Sequence, residues 1–213
     1  MNPAEKIFEE LFIRYPVLEP IKQDIAKSYE IICECYKRGG KILICGNGGS
    51  AADAEHIVGE LMKGFIMRRE LTDKQKEAFK QIENGEHIAS QLQGALPAIA
   101  LTAHSGLNTA FSNDVAADMV FAQQVWGYAY SSPDVLIALS TSGNSVNVVN
   151  AVKTACALGI ESIGITGDAA SALSTLCSVC IRLPEEETYK IQELTLPVYH
   201  ALCAMVEATY FKN

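Results

Sequence analysis

Apolar positions along the first forty residues recur at helical spacing. Ile7, Phe8, Leu11 and Phe12 form one stripe within residues 3–14, as a 3.6-residue repeat requires. Pro16 interrupts the pattern. From about Leu18 to Arg38, Ile21, Ile25, Tyr29, Ile32 and Tyr36 repeat it, and Gly39-Gly40 ends the stretch as a left-handed cap would. The period then changes. Lys41–Cys45 (KILIC) is a short apolar run of the kind that forms a strand buried on both faces. Pro97–Thr102, Asp134–Leu139, Glu161–Thr166 and Ser178–Leu183 are further strand candidates. Helical stretches lie between them, clearest at Asn147–Leu158, and a long one closes the chain from about Thr188 to Phe211. Strands alternating with helices predict an α/β fold: a doubly wound, mostly parallel five-stranded sheet flanked by helices, with N-terminal helices over residues 1–40. The last helix is apolar on more than one side, which suits a helix packed inside an oligomer or a core helix.

One segment departs from this rhythm. Residues 63–95 are long and polar, with Thr72 or Asp73 placed to cap a short helix running to Gln81 and Asn84-Gly85 reading as a turn. It reads as a helical excursion inserted into a single domain spanning 1–213. That length suits one α/β domain.

Charge narrows the partners. A formal net charge of -8 without a basic stripe argues against nucleic acid. The amphipathic start lacks the pattern of a signal peptide, and no apolar run is long enough to span a bilayer. Seven cysteines, scattered and odd in number, read as reduced thiols of a cytoplasmic protein. Cys177 and Cys180 form a lone C-x-x-C, whose alternative reading is a redox or zinc centre.

Two loops carry candidate chemistry. Gly46-Asn47-Gly48-Gly49-Ser50 follows a strand and precedes a helix that begins near Ala51. Glycines let a ligand approach the backbone, and a helix start offers free N–H groups. Ser140-Thr141-Ser142-Gly143-Asn144-Ser145 repeats the arrangement after a later strand. Hydroxyls at a helix N-terminus form a neutral cradle for an anion. An N-cap needs one hydroxyl and this loop supplies four, which favours a phosphate site.

Two helical pairs complete the inventory. His56 and Glu60 are four residues apart and share a helical face. An imidazole and a carboxylate there serve as half a zinc site, as an acid–base pair, or as a plain surface contact. Gln192 and His200 lie eight residues apart on the last helix, near one face. His200 sits among apolar residues, where a histidine with satisfied core contacts is the ordinary reading. His87 falls in the polar excursion and reads as solvated. His104 follows a strand end, where it can face a ligand crevice.

These residues resemble a known family. GNGGSAADAEHIVGEL, LPAIALT, SND, STSGNS and IQE followed by His200 occur in the order found in SIS (sugar isomerase) domain proteins, and more narrowly in the phosphoheptose isomerases. The resemblance covers nearly the whole chain outside the excursion. It implies a homotetramer with active sites at subunit interfaces and zinc bound by His56, Glu60, Gln192 and His200. It implies phosphate binding by Ser140, Thr141, Ser142 and Ser145, with Asn47, Gly48, Gly49 and Ser50 lining the sugar. The implied reaction takes sedoheptulose 7-phosphate to a glycero-manno-heptose 7-phosphate through an enediol, with Glu60 as base and His200 as complementary acid. Two positions depart from the family pattern: Ala103 and Tyr189 stand where aspartates are usual, both near the expected sugar. An isomerase of another ketose phosphate, or a non-catalytic SIS protein that binds sugar phosphate or a replication initiator, is the alternative.

Overall fold

The computed structural model describes residues 2–129 and 133–211. Helix α1 (Pro3–Arg14) starts on a capping box in which the Asn2 side chain accepts from Glu5 N and Glu5 reaches back. The second apolar stretch is not helical throughout. Pro16–Ile21 forms a 3₁₀ turn containing Pro16 and Pro20, and regular helix α2 begins at Lys22 and runs to Lys37. Proline lacks the N–H that α-helical bonding needs, so the two prolines delay the helix by a turn.

The remaining elements alternate. Strand β1 (Ile42–Cys45) leads to α3 (Gly49–Met62), and the excursion holds α4 (Asp73–Glu77) and α5 (Gly85–Gln91). Strand β2 (Ala98–Ala100) leads to α6 (Ser105–Phe111), a π turn at Ser112–Ala116 and α7 (Val120–Tyr128). Then come β3 (Val135–Leu139), α8 (Val146–Leu158), β4 (Glu161–Gly167), α9 (Ala172–Leu176), β5 (Val179–Leu183) and α10 (Thr188–Tyr210). In the excursion Thr72 is the cap, and α4 ends at Glu77, short of the predicted Gln81.

The five strands pair in parallel in the order β2-β1-β3-β4-β5. Side chains alternate across the sheet, so each strand serves two cores. Ile42 and Ile44 face a core built with α1, α2, α3 and α10. Leu43 and Cys45 face a second core built with α7, α8 and α9. Both faces are therefore covered, as the apolar strand runs require. No described helix is long and apolar enough to cross a membrane.

Candidate active site

In this strand order the chain moves from β1 to β2 on one side and to β3 on the other. The crevice beyond the carboxyl ends of such diverging strands is where open α/β sheets bind ligands. The loops after β1 and β3 are the two glycine- and hydroxyl-rich segments. The cyclic amide pair Asn47–Asn147 joins them, with Nδ2 to Oδ1 distances of 2.8 and 2.9 Å in the two directions.

Each loop turns on a left-handed glycine. Gly48 has φ 56° and caps α3 without a side-chain bond. Gly143 has φ 64° and donates to Ser140 O at 2.9 Å. Around Gly143, Ser140 Oγ and Ser145 Oγ lie 3.0 Å apart, and Ser142 Oγ accepts from Asn144 N at 3.2 Å. Ser145 makes no side-chain capping bond to α8, so its hydroxyl is not used to close the helix. Thr141 anchors the loop through its carbonyl, which accepts from Gly167 N at 3.0 Å. Ser50 is buried at the start of α3.

Helix α3 carries His56 and Glu60 downward from this loop. His56 Nε2 is 3.1 Å from Glu60 Oε1. Glu60 is nearly buried, with Lys63 Nζ 3.3 Å from its other oxygen. Helix α10 packs beside α3 and brings His200 to the same place. The His56 and His200 rings stand edge to face with centroids 5.0 Å apart, and Phe65 lies 5.3 Å from His200. His200 Nε2 is buried without a hydrogen-bond partner. Burial, helped by neighbouring His56 and opposed by Glu60, lowers the His200 pKa below the ordinary histidine value.

Gln192 takes a different position on α10. Eight residues of helix separate it from His200, about 12 Å along the axis. Its amide lies against Gly49, where an added Cβ would sit 2.5 Å from Nε2. It thus borders the first loop, with His56, Glu60 and His200 gathered farther along the same helix pair. Among the described residues, no three His, Cys, Asp or Glu side chains converge closely enough to form a ready-made metal cage.

Sequence pattern does not single out two neighbours of this cluster. The Tyr199 hydroxyl is 2.9 Å from His56 Nδ1 and donates to Asp53 Oδ1 at 3.2 Å. A hydroxyl has one hydrogen. Given to the Asp53 carboxylate, it leaves the oxygen to accept from His56 Nδ1–H, and the Nε2 lone pair then faces Glu60. Burial raises the Asp53 pKa, against the lowering effect of the Tyr199 bond. Asp53 precedes His56 by three residues on α3, a helical spacing visible in the sequence, but only the fold brings Tyr199 between them.

The other candidates fall outside the cluster. His104 lies beyond the carboxyl end of β2, half-buried, with Nε2 3.2 Å from Tyr128 OH. His87 is exposed on α5. Cys177 and Cys180 are free thiols, and burial pushes Cys177 up to about 12, which suppresses the thiolate that redox or zinc chemistry needs. Ala103 and Tyr189 are both exposed.

Known proteins match along the whole length. SIS-domain family models match residues 13–94, 88–167 and 129–210. Phosphoheptose isomerase 1 of Campylobacter jejuni is 35% identical over 210 residues, covering 99% of this chain and 100% of that protein. The chain belongs to the phosphoheptose isomerase family of SIS-domain proteins. Solved phosphoheptose isomerases share its architecture. The GmhA structure from Neisseria gonorrhoeae superposes with a TM-score of 0.70 at 29% identity, over 96% of this chain and 91% of that one. The Francisella tularensis structure gives 0.72 at 28% identity, over 97% and 99%. The doubly wound parallel sheet and its long C-terminal helix are thus the family's fold.

Proposed function

We propose that this chain is an aldose–ketose isomerase that interconverts sedoheptulose 7-phosphate and D-glycero-D-manno-heptose 7-phosphate through an enediol. The observation that carries the reading is the meeting of His56 and Glu60, on the helix that starts at the first crevice loop, with His200 from α10, far away in sequence. Family membership supplies the reaction class, and the residues supply the division of labour.

The sugar phosphate enters with its phosphate toward the start of α8. Ser140, Thr141, Ser142 and Ser145 donate hydroxyl hydrogens, and the helix N-terminus supplies N–H groups and a favourable dipole. Asn47, Gly48, Gly49, Ser50 and Gln192 border the sugar. Glu60 takes a proton from C1 of the ketose and the C2 oxygen takes up a proton, giving the enediol. The C1 hydroxyl then gives up its proton as the C1 carbonyl forms, and a proton returns from Glu60 to C2 to give the aldose. His200, kept neutral by burial, offers an N–H toward the developing oxyanion, as a neutral imidazole can.

The donor set fits zinc. His56 Nε2 and Glu60 Oε1 face each other at 3.1 Å, a separation bridged by a proton when no cation is bound, and His200 Nε2 is buried with no partner. His56, Glu60 and His200 would hold the ion once their side chains draw together from their present separation, with Gln192 the fourth ligand through a shift of its side chain from Gly49. Bound there, zinc would act as a Lewis acid that stabilises the enediolate charge. Tyr199, backed by Asp53, holds His56 in the tautomer with its Nε2 lone pair available. Tyr199→Phe should therefore weaken zinc binding about 10–100-fold in a competition titration; unchanged affinity would remove Tyr199 from this role.

A homotetramer accords with the surface around the site. The His56 side chain is 43% exposed, and His200 lines an open hollow of about 320 Å³ between α1, α10 and the Phe65-Ile66 loop. A second copy seated there would close the site from water. Ala103 and Tyr189 bear on the substrate, since neither offers a carboxylate to sugar hydroxyls, so a panel of ketose phosphates belongs in the test. Purified protein should convert sedoheptulose 7-phosphate best of the panel, lose that turnover on chelation, and regain it with zinc. A folded, zinc-replete protein inactive on every ketose phosphate would leave the non-catalytic reading.

A further inference from the structure

Arg69 and Glu207 form an ion pair sealed from solvent, with side chains 0% and 1% exposed and Nε 2.7 Å from Oε1. Neither residue is part of the proposed chemistry. A buried pair is often no more stabilising than apolar residues of the same volume, because both charges lose their hydration. Stability alone is thus a weak reason for burying this one, and its other bonds show a geometric role.

Arg69 Nη1 donates to Leu61 O at 2.6 Å and Nη2 donates to Glu60 O at 2.8 Å. Both carbonyls belong to the last turn of α3, whose end lacks intrahelical donors. The guanidinium also places a positive charge at the negative pole of that helix. Glu207 accepts from Phe65 N at 2.7 Å, Ile66 N at 2.8 Å and Met67 N at 3.3 Å. Those three amides open the loop whose Phe65 ring lies against His200. Glu207 itself sits two turns beyond His200 on α10.

The pair thus grips the backbone of Glu60, the loop that packs on His200, and the helix that bears His200. We infer that Arg69 and Glu207 are positioning residues that set the separation and orientation of Glu60 and His200. The inference rests on the roles proposed for those two side chains. No helical repeat links α3 to α10, so a fixed tie between them must come from contacts such as these. A planar fork suits such a tie. One rigid group reaches a carboxylate and two carbonyls at once, which a lysine ammonium on a flexible stem does not do with fixed geometry.

The test uses Arg69→Lys, Glu207→Gln, and Arg69→Met combined with Glu207→Leu, measured for kcat, KM and Tm beside Glu60→Gln. Misplacement of a reacting group by an ångström costs up to about 100-fold in rate. The expected result is a kcat at least about 10-fold lower in Arg69→Lys and Glu207→Gln, with KM within about 2-fold, because the crevice loops are untouched. The apolar double variant no longer buries an unpaired charge but leaves the Glu60 and Leu61 carbonyls and the Phe65, Ile66 and Met67 amides without these partners. It should therefore recover only part of the lost Tm and should keep the low kcat. A purely structural role predicts that kcat recovers with Tm. Wild-type kcat in folded Arg69→Lys overturns the inference, as does a double variant that regains both quantities. If the double variant does not fold, the split between kcat and KM in the single variants decides. Full turnover in Glu60→Gln would instead refute the base assignment, whatever the Arg69 variants do.

Discussion

Glu60→Gln should lower kcat by about 10²–10⁴-fold, the range a positioned general base contributes, with KM changed far less. Glutamine keeps the size of the side chain and its place on α3, so the fold and the crevice loops persist. It cannot accept a proton, and it removes the negative charge that faces His56 Nε2 at 3.1 Å and Lys63 Nζ at 3.3 Å. The same substitution should weaken zinc binding, because a neutral amide is a poorer ligand than a carboxylate. Turnover measured with excess zinc separates these effects. A kcat that stays low with the metal site filled identifies the loss as that of the base.

Gly143→Val should damage both stability and substrate binding. The residue has φ +64°, and an added Cβ would lie 2.2 Å from Ser171 Oγ and 2.5 Å from Ser171 Cβ. A left-handed conformation costs an L-residue about 1–2 kcal/mol, and overpacking adds about 1–3 kcal/mol. The combined loss corresponds to a Tm lower by about 5–20 °C for a chain of this size. The loop must also shift, which disturbs the Ser140–Ser145 hydroxyl pair and its approach to a phosphate. Losing one hydrogen bond to a charged group is worth about 1.5–3 kcal/mol, so KM should rise about 10–100-fold. Thermal unfolding and saturation kinetics check the two parts, and an unchanged KM would place the phosphate elsewhere.

Much of this architecture is legible in the chain because parallel strands must be apolar on both faces. KILIC, DVLIAL and their counterparts are short, nearly continuous apolar runs, and each forms a strand. The stretch from Leu18 is harder to read. Its apolar spacing is helical, yet Pro16 and Pro20 hold the first turn as a 3₁₀ segment. Spacing within one helix also exposes His56 with Glu60. Sequence pattern does not encode meetings between elements. Tyr199 reads as one aromatic among many on an apolar helix, and its bonds to Asp53 and His56 span more than 140 residues. Arg69 looks like a solvated charge in the polar segment after α3, and Glu207 like a polar break in α10. Only packing α10 along α3 turns them into a buried pair. The same packing sets Gln192 against Gly49 and His200 against His56, a division that their eight-residue spacing on one helix face does not reveal.

The most direct measurement follows the proton itself. Sedoheptulose 7-phosphate is incubated with the zinc-loaded protein in deuterated water, and the heptose phosphate product is read by NMR at C2. Transfer through an enediol by an ionisable side chain predicts deuterium at C2 in the aldose to the extent that Glu60 exchanges with solvent before the proton returns, and labelled product formed about 10²–10⁴-fold more slowly by Glu60→Gln. Labelled product formed by the Glu60→Gln protein at the wild-type rate would contradict proton transfer at this cluster.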